Sequence, residues 1–126
     1  MIPDDIRRFI VQCIPSVPFL EALLLLREYA DRTWDAGAVA GRLYLEPRAA
    51  DGLLEELVRA RLVARAAEEV HACRYAPETA ELAALVDELA AVYRQHLIEV
   101  STLIHSKGGR KAALFADALV WRKKER

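Results

Sequence analysis

Hydrophobic positions recur along the chain in blocks whose spacing shifts from helical to alternating and back. After Pro3-Asp4-Asp5, the residues Ile6, Phe9, Ile10 and Ile14 predict a short helix with one apolar edge. Pro15 ends it, because a proline disfavours helical backbone at the residue before it. Ser16 is placed to cap a second helix running to about Asp31, with Pro18 tolerated in its first turn. Leu20, Leu23, Leu24, Leu25 and Leu26 make that helix apolar nearly all round, so it is expected to be buried. Thr33-Trp34 is a short break. Asp35 then caps a small-residue helix to about Leu43, and Tyr44-Leu45-Glu46 makes a tight connection to a helix opening on Pro47. That helix, to about Ala60, sets Ala50, Leu54 and Leu57 on one face.

The period then changes. Leu62 to Arg65 and Ala72 to Tyr75 are β-compatible segments that predict a hairpin, although no glycine or Asn-Gly marks its turn. From Glu78 to about His105 one helical pattern resumes, carried by Leu82, Leu85, Val86, Leu89, Val92, Tyr93, Leu97, Val100, Leu103 and Ile104. As one straight helix it spans roughly 42 Å, longer than the small domain before it. Part of its stripe must therefore find apolar surface in a second chain or in the terminal helices. Gly108-Gly109 breaks the pattern, and Arg110 to Arg122 reads as a last helix with Leu114, Phe115, Ala118, Leu119 and Trp121 as its apolar set.

Composition sharpens the class. The chain has 126 residues with five Gly, five Pro and a 54% apolar share, which favours one mostly helical globular domain. No apolar run approaches the roughly 18 residues of a membrane-spanning helix. The acidic start lacks the basic flank of a signal peptide, so the expected location is cytoplasmic, with no membrane partner. Cys13 and Cys73 are too few for a disulfide framework or a cysteine zinc cluster. His71, His96 and His105 are scattered, and the paired acids Glu55-Glu56, Glu68-Glu69 and Asp87-Glu88 suit solvated faces. Without a phosphate loop, a nucleophile elbow or a Ser/His/Asp set, the sequence predicts a protein that is not an enzyme and implies no metal or cofactor.

Charge is unevenly spread. Residues 1–106 hold 11 basic and 17 acidic side chains, whereas 107–126 hold seven basic and two acidic ones. A basic tail on an acidic body suits phosphate, an anionic membrane or an acidic partner, and equally the end of a helix dipole.

The order of elements over residues 16–77, and above all the run from Asp35 to Val63 with its Pro47-led helix and its Leu62-Val63 pair, resembles the winged helix-turn-helix of bacterial regulators of the MarR and PadR type. Thr33-Trp34 occupies the place of that family's short first strand. The resemblance implies a mainly α fold with a small β-hairpin: an N-terminal helix (1–15), the winged helix-turn-helix (16–77), a long dimerisation helix (78–106) and a basic C-terminal helix (107–126). It implies a homodimeric transcriptional regulator whose second motif helix lies in the major groove of double-stranded DNA. The groove-facing residues would be Arg48, Ala49, Asp51, Gly52 and Glu55, where Arg48 can donate a bidentate pair to guanine. Arg42, Arg65 and Arg74 would be further candidates for contact with DNA. The dimer interface would use Leu82, Leu85, Val86, Leu89, Val92, Tyr93, Leu97 and Val100. Asp51 and Glu55 lie one turn apart, and the hairpin tip at Ala66-Ala67-Glu68-Glu69 is acidic. Both suit a basic protein surface, so the alternative is a winged-helix protein-interaction module that has lost DNA binding. A thiol or small-molecule sensor built on Cys13 or on a pocket between dimer helices is a third possibility.

Overall fold

The computed structural model describes residues 1–106. The helix expected from Arg110 to Arg122, and the basic tail with it, lie outside the described residues. The chain runs α1 (Asp4–Cys13), α2 (Val17–Glu28), α3 (Ala36–Leu43), α4 (Pro47–Arg59), β1 (Val63–Arg65), β2 (Cys73–Tyr75) and α5 (Ala80–Gln95), and residues 97–106 form a further helix, α6. It is mainly helical with a small antiparallel sheet. No single helix among the described residues is long and apolar enough to cross a membrane.

Local chemistry sets most of these boundaries. Ser16 Oγ accepts from Phe19 N–H at 3.2 Å, Asp35 Oδ1 from Ala38 N–H at 2.8 Å, and Thr79 Oγ1 from Leu82 N–H at 3.0 Å. Each satisfies a donor that the first helical turn leaves orphaned. α2 buries Phe19, Leu20, Ala22, Leu23, Leu25 and Leu26, as its all-round apolar character predicts. It ends at Glu28, three residues earlier than expected. α4 buries Ala50, Leu53, Leu54 and Leu57.

α2 packs on α3, on α4 and on β2, while α1 packs on α5. In the hairpin, Val63 pairs with Tyr75, Ala64 with Arg74 and Arg65 with Cys73. Trp34 joins from the other side: its N–H and carbonyl each bond to Cys73 at 2.8 Å. The chain order across this small sheet is therefore Trp34, β2, β1, and the Thr33-Trp34 break is a one-residue strand.

α4 ends in a Schellman turn. Arg61 takes left-handed backbone (φ 64°), Leu62 N–H reaches Leu57 O at 3.1 Å, and Arg61 N–H reaches Val58 O at 3.0 Å. This turn drops Leu62, 1% exposed, back into the core. A non-glycine residue in that region is strained by about 1–2 kcal/mol, and the exposed Arg61–Glu78 ion pair at 3.0 Å offsets little of it. Arg61→Gly is expected to stabilise the fold by about 0.5–1 kcal/mol, since glycine's extra unfolded-state freedom takes back part of the relief. Thermal melting by circular dichroism checks this; a lowered midpoint would mean that the Glu78 contact outweighs the backbone strain.

The single long helix expected over 78–106 is not present. α5 stops at Gln95, and His96 leaves helical backbone (φ −133°, ψ 48°) before α6 begins. Neither proline nor glycine lies there, so the cause is tertiary. Bending at His96 lets Val100 (0% exposed) and Ile104 (1%) join the same core as Ile2, Ile6 and Ile10. His96 O starts α6 by accepting from Val100 N–H at 3.0 Å, and His96 Nδ1 lies 3.3 Å from Glu99 Oε1. The surplus apolar stripe is thus satisfied largely within the chain.

That bend also bears on the residues expected at the dimer interface. Val86, Leu89, Val92 and Val100 are buried in their own chain's core. Leu82, Leu85 and Tyr93 are half-buried against it. Only Leu97 of that set is exposed, beside the exposed Ile98.

Candidate functional site

α3, the Tyr44–Glu46 turn and α4 form the most closely packed helix pair of the fold. α3 supplies small residues to the contact, with Val39 and Ala40 buried. Tyr44 closes α3 in left-handed backbone (φ 58°), which lets Leu45 N–H return to Ala40 O at 3.0 Å. Its ring is 94% exposed. A bulky, strained and fully solvated aromatic next to the start of α4 contributes little to packing, and sequence periodicity gave no signal for it.

Because Ala50, Leu53, Leu54 and Leu57 point inward, the opposite face of α4 points out. Arg48, Ala49, Asp51, Gly52, Glu55, Glu56 and Arg59 are all exposed. The groove-facing set expected from the sequence therefore shares one open helix face. At Gly52 a Cβ would meet nothing within 4 Å, so intramolecular packing does not require glycine there. Glycine in a helix interior is nevertheless about 1 kcal/mol less favourable than alanine.

The flanking cations differ in how far they are committed. Arg74 is taken up by Glu68, its Nη2 donating to Oε1 at 2.8 Å. Hydrogen bonding from the backbone at Glu68, and then Arg74, hold that carboxyl below the usual range. Glu69 accepts from Thr33 Oγ1 at 2.9 Å. The acidic hairpin tip is thus tied to its own chain rather than standing free. Arg42 Nη2 donates to the Tyr29 hydroxyl at 3.2 Å. Among the described residues, Arg42, Arg48 and Arg65 have no carboxylate within 4.0 Å, and Asp51 and Glu55 have no cation within that distance.

Arg65 and Asp51 both act electrostatically on Cys73. Burial, the dominant cause, pushes the Cys73 thiol up; Arg65 opposes the shift and Asp51 adds to it. A buried thiol with so little thiolate character is a poor redox sensor, which weakens the thiol possibility at this position. Of the paired acids, Asp87 binds Arg27 at 2.9 Å. Glu88 is pushed up by partial desolvation, with Asp5 of α1 adding to the shift. Among the described residues no three His, Cys, Asp or Glu side chains gather as a metal site would need. An open groove of about 400 Å³ between α2 and α5 is lined by Leu24, Arg27, Glu28, Ala90, Tyr93 and Arg94.

One feature of the site escapes sequence reasoning. Arg32 lies with its guanidinium carbon 4.0 Å from the Trp34 ring centroid, on the same aromatic cluster that holds Arg42. Comparisons of the chain with protein-family models, with curated proteins and with solved structures found no match.

Proposed function

We propose that this protein is a DNA-binding transcriptional regulator that acts as a homodimer, reading duplex DNA through α3 and α4 as a winged helix-turn-helix with β1 and β2 as the wing. The observation that carries this is the open outer face of α4, from Arg48 to Glu55, beside a three-membered sheet edge of Trp34, β2 and β1. Ala49 and Gly52 present almost no side chain, so a base edge can approach the helix closely, and Arg48 is free to donate to guanine. With Val86, Leu89 and Val100 buried, the dimer would use what remains open: Leu82, Leu85 and Tyr93 at the margin of α5, and Leu97 with Ile98 at the bend. Titration of a labelled duplex from the protein's own upstream region is the test. Binding should weaken as salt rises, and Arg48→Ala should cost about 1–3 kcal/mol on the preferred sequence. Absence of salt-sensitive binding to any duplex would count against the proposal.

Asp51 and Glu55 favour a second reading. Both are exposed on α4 without a cation within 4.0 Å among the described residues, a face that suits a basic protein surface. Nuclease-treated pull-downs that recover a stoichiometric protein partner, together with a failed duplex titration, would select that interaction module.

A further inference from the structure

Resting on the DNA-binding reading, we infer that Arg32 and Arg42 form a two-cation clamp for neighbouring phosphates of the nucleic-acid backbone, stiffened by Trp34 and Tyr29.

Four side chains from three places in the chain build it. Tyr29 follows α2, Arg32 and Trp34 lie in the connection to α3, and Arg42 is in the last turn of α3. The Trp34 indole is a fixed platform: it is 1% exposed, and its backbone is bonded twice to Cys73 at 2.8 Å. Tyr29 leans on it with ring centroids 5.9 Å apart and planes 51° apart. The Arg32 guanidinium carbon stands 4.0 Å from the indole centroid. That of Arg42 stands 4.9 Å from the Tyr29 ring and 5.8 Å from the indole. Both cations are therefore held on one cluster, less than about 10 Å apart, within reach of neighbouring phosphates at roughly 3.4 Å of axis per phosphate along a strand.

A guanidinium held against a ring face keeps its in-plane N–H donors available for a bidentate oxyanion. Arg42 uses one of its donors on the Tyr29 hydroxyl. Neither arginine has a carboxylate within 4.0 Å among the described residues, whereas Arg27, Arg61 and Arg74 each do. Of the acidic residues around the cluster, Asp31 and Asp35 flank it in sequence, Asp35 serving as the cap of α3, and at the hairpin tip Glu69 is engaged by Thr33 and Glu68 by Arg74. Two like charges held on one aromatic cluster repel each other, and an anion between them relieves that repulsion. Ordering long side chains before contact also removes most of the entropy loss on binding.

The sheet order chooses the kind of anion. Trp34 is at one edge and Arg65 sits in β1 at the other. A linear polyanion spanning the sheet meets cations at both edges, which a single phosphate or carboxylate does not. The contact is to backbone, so it positions the complex without reading sequence.

The experiment is a fluorescence-anisotropy titration of a labelled, mixed-sequence 30-base-pair duplex between 50 and 200 mM salt, a range chosen for its large counterion effect. Relative to wild type, Arg32→Gln with Arg42→Gln should flatten the log–log salt slope by about two per binding chain. Arg32→Lys with Arg42→Lys, which keeps the charge, should retain most of the slope. Melting curves identify any variant that has lost its fold, and the lysine pair then decides: a slope as flat as that of the glutamine pair overturns the clamp. If the glutamine pair is folded and keeps the wild-type slope, the clamp is wrong while the DNA-binding reading stands. If wild type shows no salt-dependent binding to the duplex, both fall together. If polyglutamate displaces the duplex at equal charge concentration, the anion is an acidic protein segment and the phosphate assignment is overturned.

Discussion

Leu89→Asp is expected to unfold the chain rather than to release a folded monomer from a dimer. Leu89 is 0% exposed and belongs to the same core as Ile6, Leu23 and Leu57. Truncating it removes about 1.5–3 kcal/mol of apolar burial. The new carboxylate must also be desolvated or protonated, which adds several kcal/mol in the absence of a partner. The sum reaches or exceeds about 5 kcal/mol, the lower end of a small domain's total stability. Far-UV circular dichroism should therefore show no cooperative melt, and Val86→Asp should behave in the same way. The contrasting variant is Leu97→Asp, at a side chain 54% exposed beside Ile98 at 77%. On the isolated fold its effect should fall within about 0.5 kcal/mol. If copies associate at the bend between α5 and α6, Leu97→Asp lowers the light-scattering mass while leaving the melt intact. A Leu89→Asp variant that melts cooperatively near the wild-type temperature would show that α5 does not bury that position in its own chain.

The difference between those two leucines shows where sequence patterning stops. Both sit on the same three-and-four spacing, and the family resemblance placed both in one intermolecular seam. What separates them is the bend at His96, which no proline, glycine or cap residue announces. It arises because Val100 and Ile104 gain burial in the shared core, a competition between distant surfaces that local spacing does not encode. The left-handed residues repeat the lesson, since Tyr44, Arg61 and His71 occupy positions where glycine would have advertised a turn. Features governed by contacts three or four residues apart were legible by contrast: the Ser16 and Asp35 caps, the Pro47 start and the Ala50, Leu54 and Leu57 face. So was the exposed row from Arg48 to Glu55, which is the complement of that buried face. The Arg32 and Arg42 cluster was not, because it joins residues 29 to 42 through ring contacts that have no periodic signature.

Leu57→Ala tests the phase of α4, and with it the candidate site. Leu57 is 0% exposed, and its carbonyl closes the Schellman turn by accepting from Leu62 N–H at 3.1 Å. The carbonyl survives the substitution but the side chain does not, so the loss is one of packing between α4 and the rest of the core. A buried leucine truncation of this kind costs about 2–5 kcal/mol, the spread reflecting how far the site collapses. For a domain of this size the melting midpoint should fall by on the order of 10 °C. Leu57→Met, which conserves volume, should cost less than about 1.5 kcal/mol. Glu56→Ala, one residue earlier on the open side, should move stability by no more than about 0.5 kcal/mol. Phase links these numbers to function: the rotation that buries Leu57 together with Ala50 and Leu54 also turns Ala49, Asp51 and Gly52 outward. A neutral Leu57→Ala with a costly Glu56→Ala would mean that the helix is rotated. The residues proposed to meet DNA would then lie against the core, with no outer face left to read a groove.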